Sequence, residues 1–407
     1  MTNRDKKLSG KKILMVLDAP YPSDLRLEKE IPTLVKAGAE ITLLCYRRPG
    51  EKKAEEMNGF NVVRTEKPVN KRTKGLMDIY NSLFFSNIYL ARELEKLSPP
   101  DVVHVHDLAP AGTVDRWARK NGIKTILDLH ENYPEALKVW FKWRKNVLIR
   151  LKNKAFFRYG TWLKREKQMC QKYDRVIAVI DEMKERLSSI HSVASDKILV
   201  VANTELKNSQ EKIQKHSSKN ELKQIVYVGG IGPHRGLQTA IEGMSYIRDI
   251  PELHLKIVGS GNSDTIATLQ EIMRKLGLEK VVEFTGRVPF EEALGYMNGA
   301  FLNIIPHLKN NHTDNTIPHK LFQIMNSGYP LLVSSCDPLK RIVTEEKCGL
   351  VFEANNPNDF AEKVRFALKS PDLISGFTRN GKKAVQKGRW NWEFDSKELL
   401  NLYRELL

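Results

Sequence analysis

HLKNNHTDNTIPHKLFQIMNSGYPLLVSSC, residues 307–336, is the stretch from which the fold can be read. A polar, turn-rich segment ends in Thr316-Ile317-Pro318, an apolar-periodic run Lys320–Met325 follows, and Gly328 and Pro330 punctuate its end. The order is loop, helix, tight turn, strand. Proline at the first helical position and glycine just past the last are the expected start and stop signals, so Pro318 should open a helix of about ten residues. Leu331-Leu332-Val333 then reads as a buried parallel strand. Such a helix points unpaired N–H groups and its positive dipole end at whatever lies before it, a setting suited to phosphate. His319 and Lys320 stand in the first turn, where the dipole disfavours cations, and so invite an anionic ligand.

The same grammar recurs outward from this stretch. Upstream, Gln224–Val228 runs into Gly229-Gly230-Ile231-Gly232-Pro233-His234-Arg235-Gly236. Three further strands end in polar or glycine loops: Leu255–Val258 before Gly259-Ser260-Gly261-Asn262, Val281–Thr285 before Gly286-Arg287, and Leu302–Ile305 before Pro306-His307. Glycines let a backbone approach a phosphate closely, and Arg235 can close on it with two parallel hydrogen bonds. Residues 204–222 are polar without apolar period and read as a linker.

The first 203 residues repeat the alternation, with strands expected at Ile13–Leu17, Ile41–Cys45, Val62-Val63, Val102–Val105, Thr125–Leu127, Val176–Ile180 and Ile198–Val201. Short Val/Ile/Leu runs between helices argue for parallel sheets covered on both faces, with ligands beyond the carboxyl ends of the strands. There stand Asp18, Asp24 and Arg26 after the first strand, His104-Val105-His106-Asp107 at the fourth, and Asp128-Leu129-His130-Glu131 at the fifth. Prolines occupy the first loop where a nicotinamide-binding fold needs Gly-x-Gly-x-x-Gly, so that cofactor is not expected. The histidines suit proton or hydroxyl chemistry, and their spacing matches no familiar metal site. His104 should point into the sheet as a hydrogen-bonded structural residue.

Composition bounds the function. The 407 residues, 41% hydrophobic and 28% charged, suit two or three soluble domains, and 66 Lys+Arg against 49 Asp+Glu give +17, which calls for an anionic partner. No apolar run reaches 18 residues, and Ile13–Leu17 is too short for a signal-peptide core. Scattered Cys45, Cys170, Cys336 and Cys348 suit free thiols in a reducing cytoplasm. Residues 136–172 carry twelve Lys/Arg against Glu166, interleaved with Trp140, Phe141, Trp143, Phe156, Phe157, Tyr159 and Trp162. Two helices that lie on an anionic membrane surface are expected there, ahead of two helices packed with a solvated basic face; nucleic acid is not expected. A final amphipathic helix is expected at Leu399–Leu407, with 389–407 packing back on the first domain.

Taken together, the sequence resembles the retaining glycosyltransferases of family 4 (glycosyl transferases group 1). The resemblance is carried by Asp24-x-Arg26, Lys29-Glu30, Gly38, His104-x-His106-Asp107, Asp128-x-His130-Glu131, the loop ending Arg235-Gly236, Val258-Gly259-Ser260-Gly261 and Pro318-x-Lys320-x-Phe322-Gln323-x-Met325. It implies an α/β GT-B fold, two doubly wound Rossmann-like domains facing each other across a cleft. Residues 1–203 would bind acceptor, a glycan or polyprenyl-linked group, and 223–388 a nucleotide-sugar, with no cofactor and no metal. The free thiols and the basic segment 136–172 add the expectation of a cytoplasmic enzyme, peripheral on the inner membrane face. His130 would approach the donor sugar, Arg235 and Lys320 would neutralise the diphosphate, and Asp18, Asp24, Arg26, His106, Asp107 and Glu131 would border the acceptor. Donor contacts would come from Gly229, Gly230, Gly232, Gly259, Gly261, Arg287, Asp314, Asn315, Thr316, Ile317 and Gln323. The chain departs from the family pattern: the two paired glutamates fall on Asn315 and Gln323, and the usual basic pair on Gly230 and Arg235. A non-hydrolysing nucleotide-sugar epimerase and a non-catalytic nucleotide-sugar or glycan binder are the alternatives.

Overall fold

The computed structural model describes residues 8–22, 24–66, 71–140, 143, 145–208 and 223–407. The chain forms two compact units: Met1–Leu137, Leu151–Ala202 and Asp395–Leu407 make the first, Lys138–Arg150 and Asn203–Phe394 the second. The main division thus falls between Ala202 and Asn203. Residues 138–150, read as part of the first domain, pass into the second unit, where Trp143 packs on the core and the Lys145 N–H donates to Asp264.

The first unit holds one sheet. Its strands are β1 Lys12–Pro20, β2 Glu40–Tyr46, β3 Ala54–Met57, β4 Phe60–Thr65, β5 Val102–His106, β6 Lys124–Leu129, β7 Arg175–Ala178 and β8 Ile198–Val200. They lie in the order β3-β4-β2-β1-β5-β6-β7-β8, parallel throughout except that β3 runs antiparallel to β4. The order in which strands are added reverses between β1 and β5, the switch point beside which such sheets bind ligands. Register places Leu17 beside His106 and His106 beside Asp128, so the polar ends of three neighbouring strands coincide. Edge strand β3, AEEM, was missed because it is charged and half-exposed, and a charged edge resists pairing with other chains.

The second unit is wholly parallel, with β9 Lys223–Val228, β10 Leu253–Val258, β11 Val282–Gly286, β12 Leu302–Ile305, β13 Leu331–Ser334 and β14 Leu350–Phe352 in the order β11-β10-β9-β12-β13-β14. This is the doubly wound arrangement, with its switch point between β9 and β12. Ile225, Leu255, Ile257, Ile304 and Leu332 of the sheet pack with Ile241, Phe360 and Val364 of the covering helices, all buried. Burial on both faces is why the central β12 and β13 read as short, mostly apolar runs. β14, three residues long, was too short to register in the sequence.

The decisive helix spans Lys320–Ser327 and stops at Gly328 in the left-handed region (φ 67°). Its start corrects the expectation: His319 is the N-cap, and Pro318 lies one residue ahead of it, its carbonyl accepting the Leu321 N–H. Val179 and Ile180 fall beyond β7, where the helix Asp181–His191 begins. Segment 136–172 contributes to three helices, Tyr133–Trp140, Val147–Phe156 and Tyr159–Lys172, and most of its aromatic side chains are at least half-buried. Trp162 is buried against Phe85 and Tyr133, and the exposed apolar residues are Val147, Leu148, Ile149 and Leu151 instead. Of the expected linker 204–222, residues 209–222 lie outside the described residues, as does Phe141. The last helix starts earlier than expected, at Trp392, and runs to Leu406. Trp390 covers the second unit, stacking on Phe322, whereas Leu399, Leu402 and Tyr403 are buried in the first. All four cysteines are buried free thiols. Among the described residues no helix is long and apolar enough to cross a membrane.

Candidate active site

At the switch point of the second sheet, the loops after β9 and β12 and the helix Lys320–Ser327 gather cations. The Lys320 stem is half-buried, but Nζ is sealed from water, makes no hydrogen bond among the described residues, and lies 3.8 Å from the centroid of the Tyr227 ring. Burial, then the Arg235 charge, push its pKa well below the ordinary lysine value. A lysine in that position is out of electrostatic balance until an anion arrives. Arg235 Nη1 meets His307 Nε2 at 3.1 Å. Burial, helped by Arg235, holds the His307 pKa well below the histidine range and pushes His234 down to about 2, so both rings stay neutral.

Glycine has two different jobs here. Gly229 (φ 139°) leaves open the space into which Lys320 Nζ reaches; a Cβ there would lie 2.9 Å from that atom. Gly259 (φ 142°) serves packing, because a Cβ on it would collide with the Gly229 carbonyl oxygen. Gly261 is likewise pressed on the Ile231 carbonyl, so the missing side chains of Gly259 and Gly261 serve close packing of the two loops. Gly230 and Gly232 line a cavity of about 280 Å³ with Trp140, Trp143, Arg235 and Ser260, at the small end for ligand pockets. Arg287 follows β11 and is exposed.

The turn ahead of the helix is tied to itself. Asp314 Oδ1 takes the Lys309 ammonium and the Asp337 N–H, so this carboxylate anchors the next helix rather than standing free for a sugar. Asn315 donates to the Asn311 carbonyl, while Thr316 is extended and Ile317 buried. The Gln323 amide donates to Glu205 Oε2 at 3.3 Å, and the same oxygen lies 3.3 Å from His319 Nε2. A carboxylate therefore does stand beside Gln323, supplied from the segment read as linker. Glu205 was missed because it precedes a low-complexity stretch; Tyr227 was missed because it lies inside a strand.

The first unit carries a second constellation at its own switch point. His130, buried at the end of β6, places Nδ1 3.2 Å from Asp107 Oδ2 and Nε2 3.3 Å from Asp128 Oδ2 and 3.2 Å from His106 Nδ1. Burial and Arg26 oppose its charge, but Asp107 and Asp128 prevail and raise its pKa to about 10. Asp107 is held at φ 71°, ψ 162°, a region all but reserved for glycine, and Asp107 Oδ1 accepts the His130 N–H. Strain of this kind persists only where surrounding structure imposes it, and it clusters at functional sites. Asp24 is paired with Arg26 at 3.1 Å; burial pushes its carboxyl up, and Arg26 with His130 outweighs that and holds it well below the usual range. Asp18, Asp24, Arg26, His106, Asp107, His130 and Glu131 are thus all placed at the ends of β1, β5 and β6. Glu30 and Tyr403, remote in sequence, join this cluster, as His104 Nδ1 meets the Tyr403 hydroxyl at 2.8 Å.

Two Rossmann-like units with ligand loops at their switch points define a GT-B protein, and solved structures agree. Sucrose-phosphate synthase from Thermosynechococcus elongatus superposes with a TM-score of 0.73 over 97% of this chain and 99% of its own, at 16% identity. Anabaena HepE, solved with UDP and glucose, gives 0.72 over 97% and 100%, at 13% identity. The family model for Glycosyltransferase Family 4 matches residues 31–204 and that for Glycosyl transferases group 1 matches 208–384. The chain belongs to the group 1 glycosyltransferases. Two uncharacterized glycosyltransferases of Methanocaldococcus jannaschii are similar, one 27% identical over 56% of this chain and 60% of its own length, the other 23% over 86% and 87%. Against the first of these, the chain spans less than two thirds of the relative's length.

Proposed function

We propose that the protein is a retaining, metal-independent glycosyltransferase that moves a sugar from a nucleotide-sugar to a glycan or lipid-linked acceptor. The observation that carries this is Lys320 Nζ, water-excluded and without a hydrogen-bond partner among the described residues, beside Arg235. As the bond between the anomeric carbon and the diphosphate breaks, negative charge grows on the leaving group, and these two cations with the loop N–H groups stabilise it. Glu205 with Gln323 would hold ribose hydroxyls, His130 would face the sugar, and Asp24, Arg26 and Asp107 would orient the acceptor. HepE's UDP and glucose support a nucleotide-sugar donor. Exposed Val147, Leu148, Ile149 and Leu151 beside Arg150 and Lys154 support contact with an anionic bilayer, which would place a lipid-linked acceptor within reach.

The test is a thermal-shift panel of uridine, guanosine and adenosine diphosphates and their common sugars, with and without magnesium. A ligand at about a hundred times its dissociation constant adds about 2.7 kcal/mol. A magnesium-independent shift with one nucleoside diphosphate, followed by transfer from its sugar with retained configuration, is expected. Donor binding without turnover would favour the non-catalytic binder, which the amides at 315 and 323 motivate. No shift from any nucleotide removes the donor site.

A further inference from the structure

Behind His130 the first unit buries four metal-ligating side chains: Glu30 from the helix Leu27–Lys36, His104 and His106 from β5, and Asp128 from β6. Alternation along β5 puts both histidines on one face, and register sets Asp128 beside His106. The four are 0–2% exposed, and one ligand atom from each lies within 4.8 Å of the other three. Each also has an atom that finds no hydrogen-bond partner among the described residues: Glu30 Oε2, His104 Nε2, His106 Nε2 and Asp128 Oδ1. Unpartnered polar atoms buried on four neighbouring side chains are costly, since each forfeits its hydration without replacement. One shared partner would satisfy them together.

We propose that Glu30, His104, His106 and Asp128 form a structural site for one divalent transition-metal ion, zinc by preference. Two imidazoles and two carboxylates are a zinc-type donor set, and two charged oxygens balance the ion's charge. His104 Nε2 lies 3.7 Å from Asp128 Oδ2 and His106 Nε2 3.9 Å from Glu30 Oε2, close to the roughly 3.4 Å edge of a tetrahedron with about 2.1 Å bonds. The second nitrogen of each ring faces an acceptor, His104 Nδ1 the Tyr403 hydroxyl at 2.8 Å and His106 Nδ1 the Asp128 carboxylate at 3.5 Å, as histidines that ligate through Nε2 require. The ion would tie the last helix, through Tyr403, to the floor of the cluster and is no part of the transfer step.

Tag-free full-length protein is incubated with zinc sulfate, gel-filtered, and its metal counted by mass spectrometry beside Glu30→Gln and His104→Gln. About one equivalent in the wild type and at least tenfold less in both variants is expected, with a zinc-dependent rise in Tm confined to the wild type. Less than a tenth of an equivalent in the wild type, or equal amounts in all three, overturns the site. Should the variants not fold, the wild type loaded with cobalt decides: intense visible bands of tetrahedral cobalt support the site, and a weak octahedral spectrum refutes it.

Discussion

Replacing Lys320 by methionine should make the ligand-free protein more stable and the nucleotide complex weaker. Methionine keeps the length of the side chain and its packing against Tyr227 while removing the one polar atom. The ammonium is 3.8 Å from the Tyr227 centroid, a contact contributing about 0.5–2 kcal/mol, against which stands a burial penalty of several kcal/mol. The net gain for Lys320→Met is about 1–3 kcal/mol, which at roughly 2–4 °C per kcal/mol for a unit of this size is a readily measured rise in Tm. The same change deletes a charge-assisted contact to diphosphate worth about 1.5–3 kcal/mol, so affinity should fall roughly 10- to 150-fold. Melting curves and calorimetric titrations with UDP, or whichever nucleoside diphosphate the panel selects, read both effects on one sample. A variant that melts below the wild type and binds the nucleotide unchanged would refute the view of Lys320 as a cation waiting for an anion.

Arg235→Ala should lower turnover at least tenfold, about 1.4 kcal/mol of transition-state stabilisation, in a steady-state assay at saturating donor. Gly259→Ala should destabilise the second unit by at least about 2 kcal/mol, since alanine meets both a forbidden φ and the Gly229 carbonyl; denaturant titration reads it. His234 and His307 have folded pKa values far below the roughly 6.5 of the unfolded chain, so only the unfolded state takes up their protons in mild acid. Their stability is whole above about pH 6.5 and is lost as pH falls toward the folded values, by up to about 2.7 kcal/mol per pH unit for the two. The double variant His234→Gln with His307→Gln should show a flatter fall between about pH 6.5 and 5 in chemical denaturation.

The parallel sheets were legible because burial on both faces writes strands as runs such as Leu302–Ile305, LNII, and Leu331–Ser334, LLVS, which no solvent-facing strand would carry. Their carboxyl ends were legible for the same reason: polarity returns abruptly, at Gly229, His307, Asp107 and His130, where the chain leaves the core. What was hidden depends on tertiary contact. Nothing local marks Glu205 as the partner of Gln323, or Tyr403 as the partner of His104 across 299 positions. Nothing local shows that Asp314, read as a donor contact, is tied to Lys309 and Asp337, which are ordinary surface residues in sequence. In the basic segment, composition cannot tell that Trp162 turns inward while Leu148, 77% exposed, turns out.

The passage of residues 138–150 and 395–407 into the units where they are found has a consequence for protein engineering. Cutting the gene near codon 203 would not yield two self-sufficient halves. The first fragment would carry Trp143 away from the core it helps cover and would lack Leu399, Leu402 and Tyr403. A chimera built to exchange donor specificity with a relative should therefore graft 138–150 and 203–394 together and leave 395–407 with its original host, so that every transplanted surface arrives with its own complement.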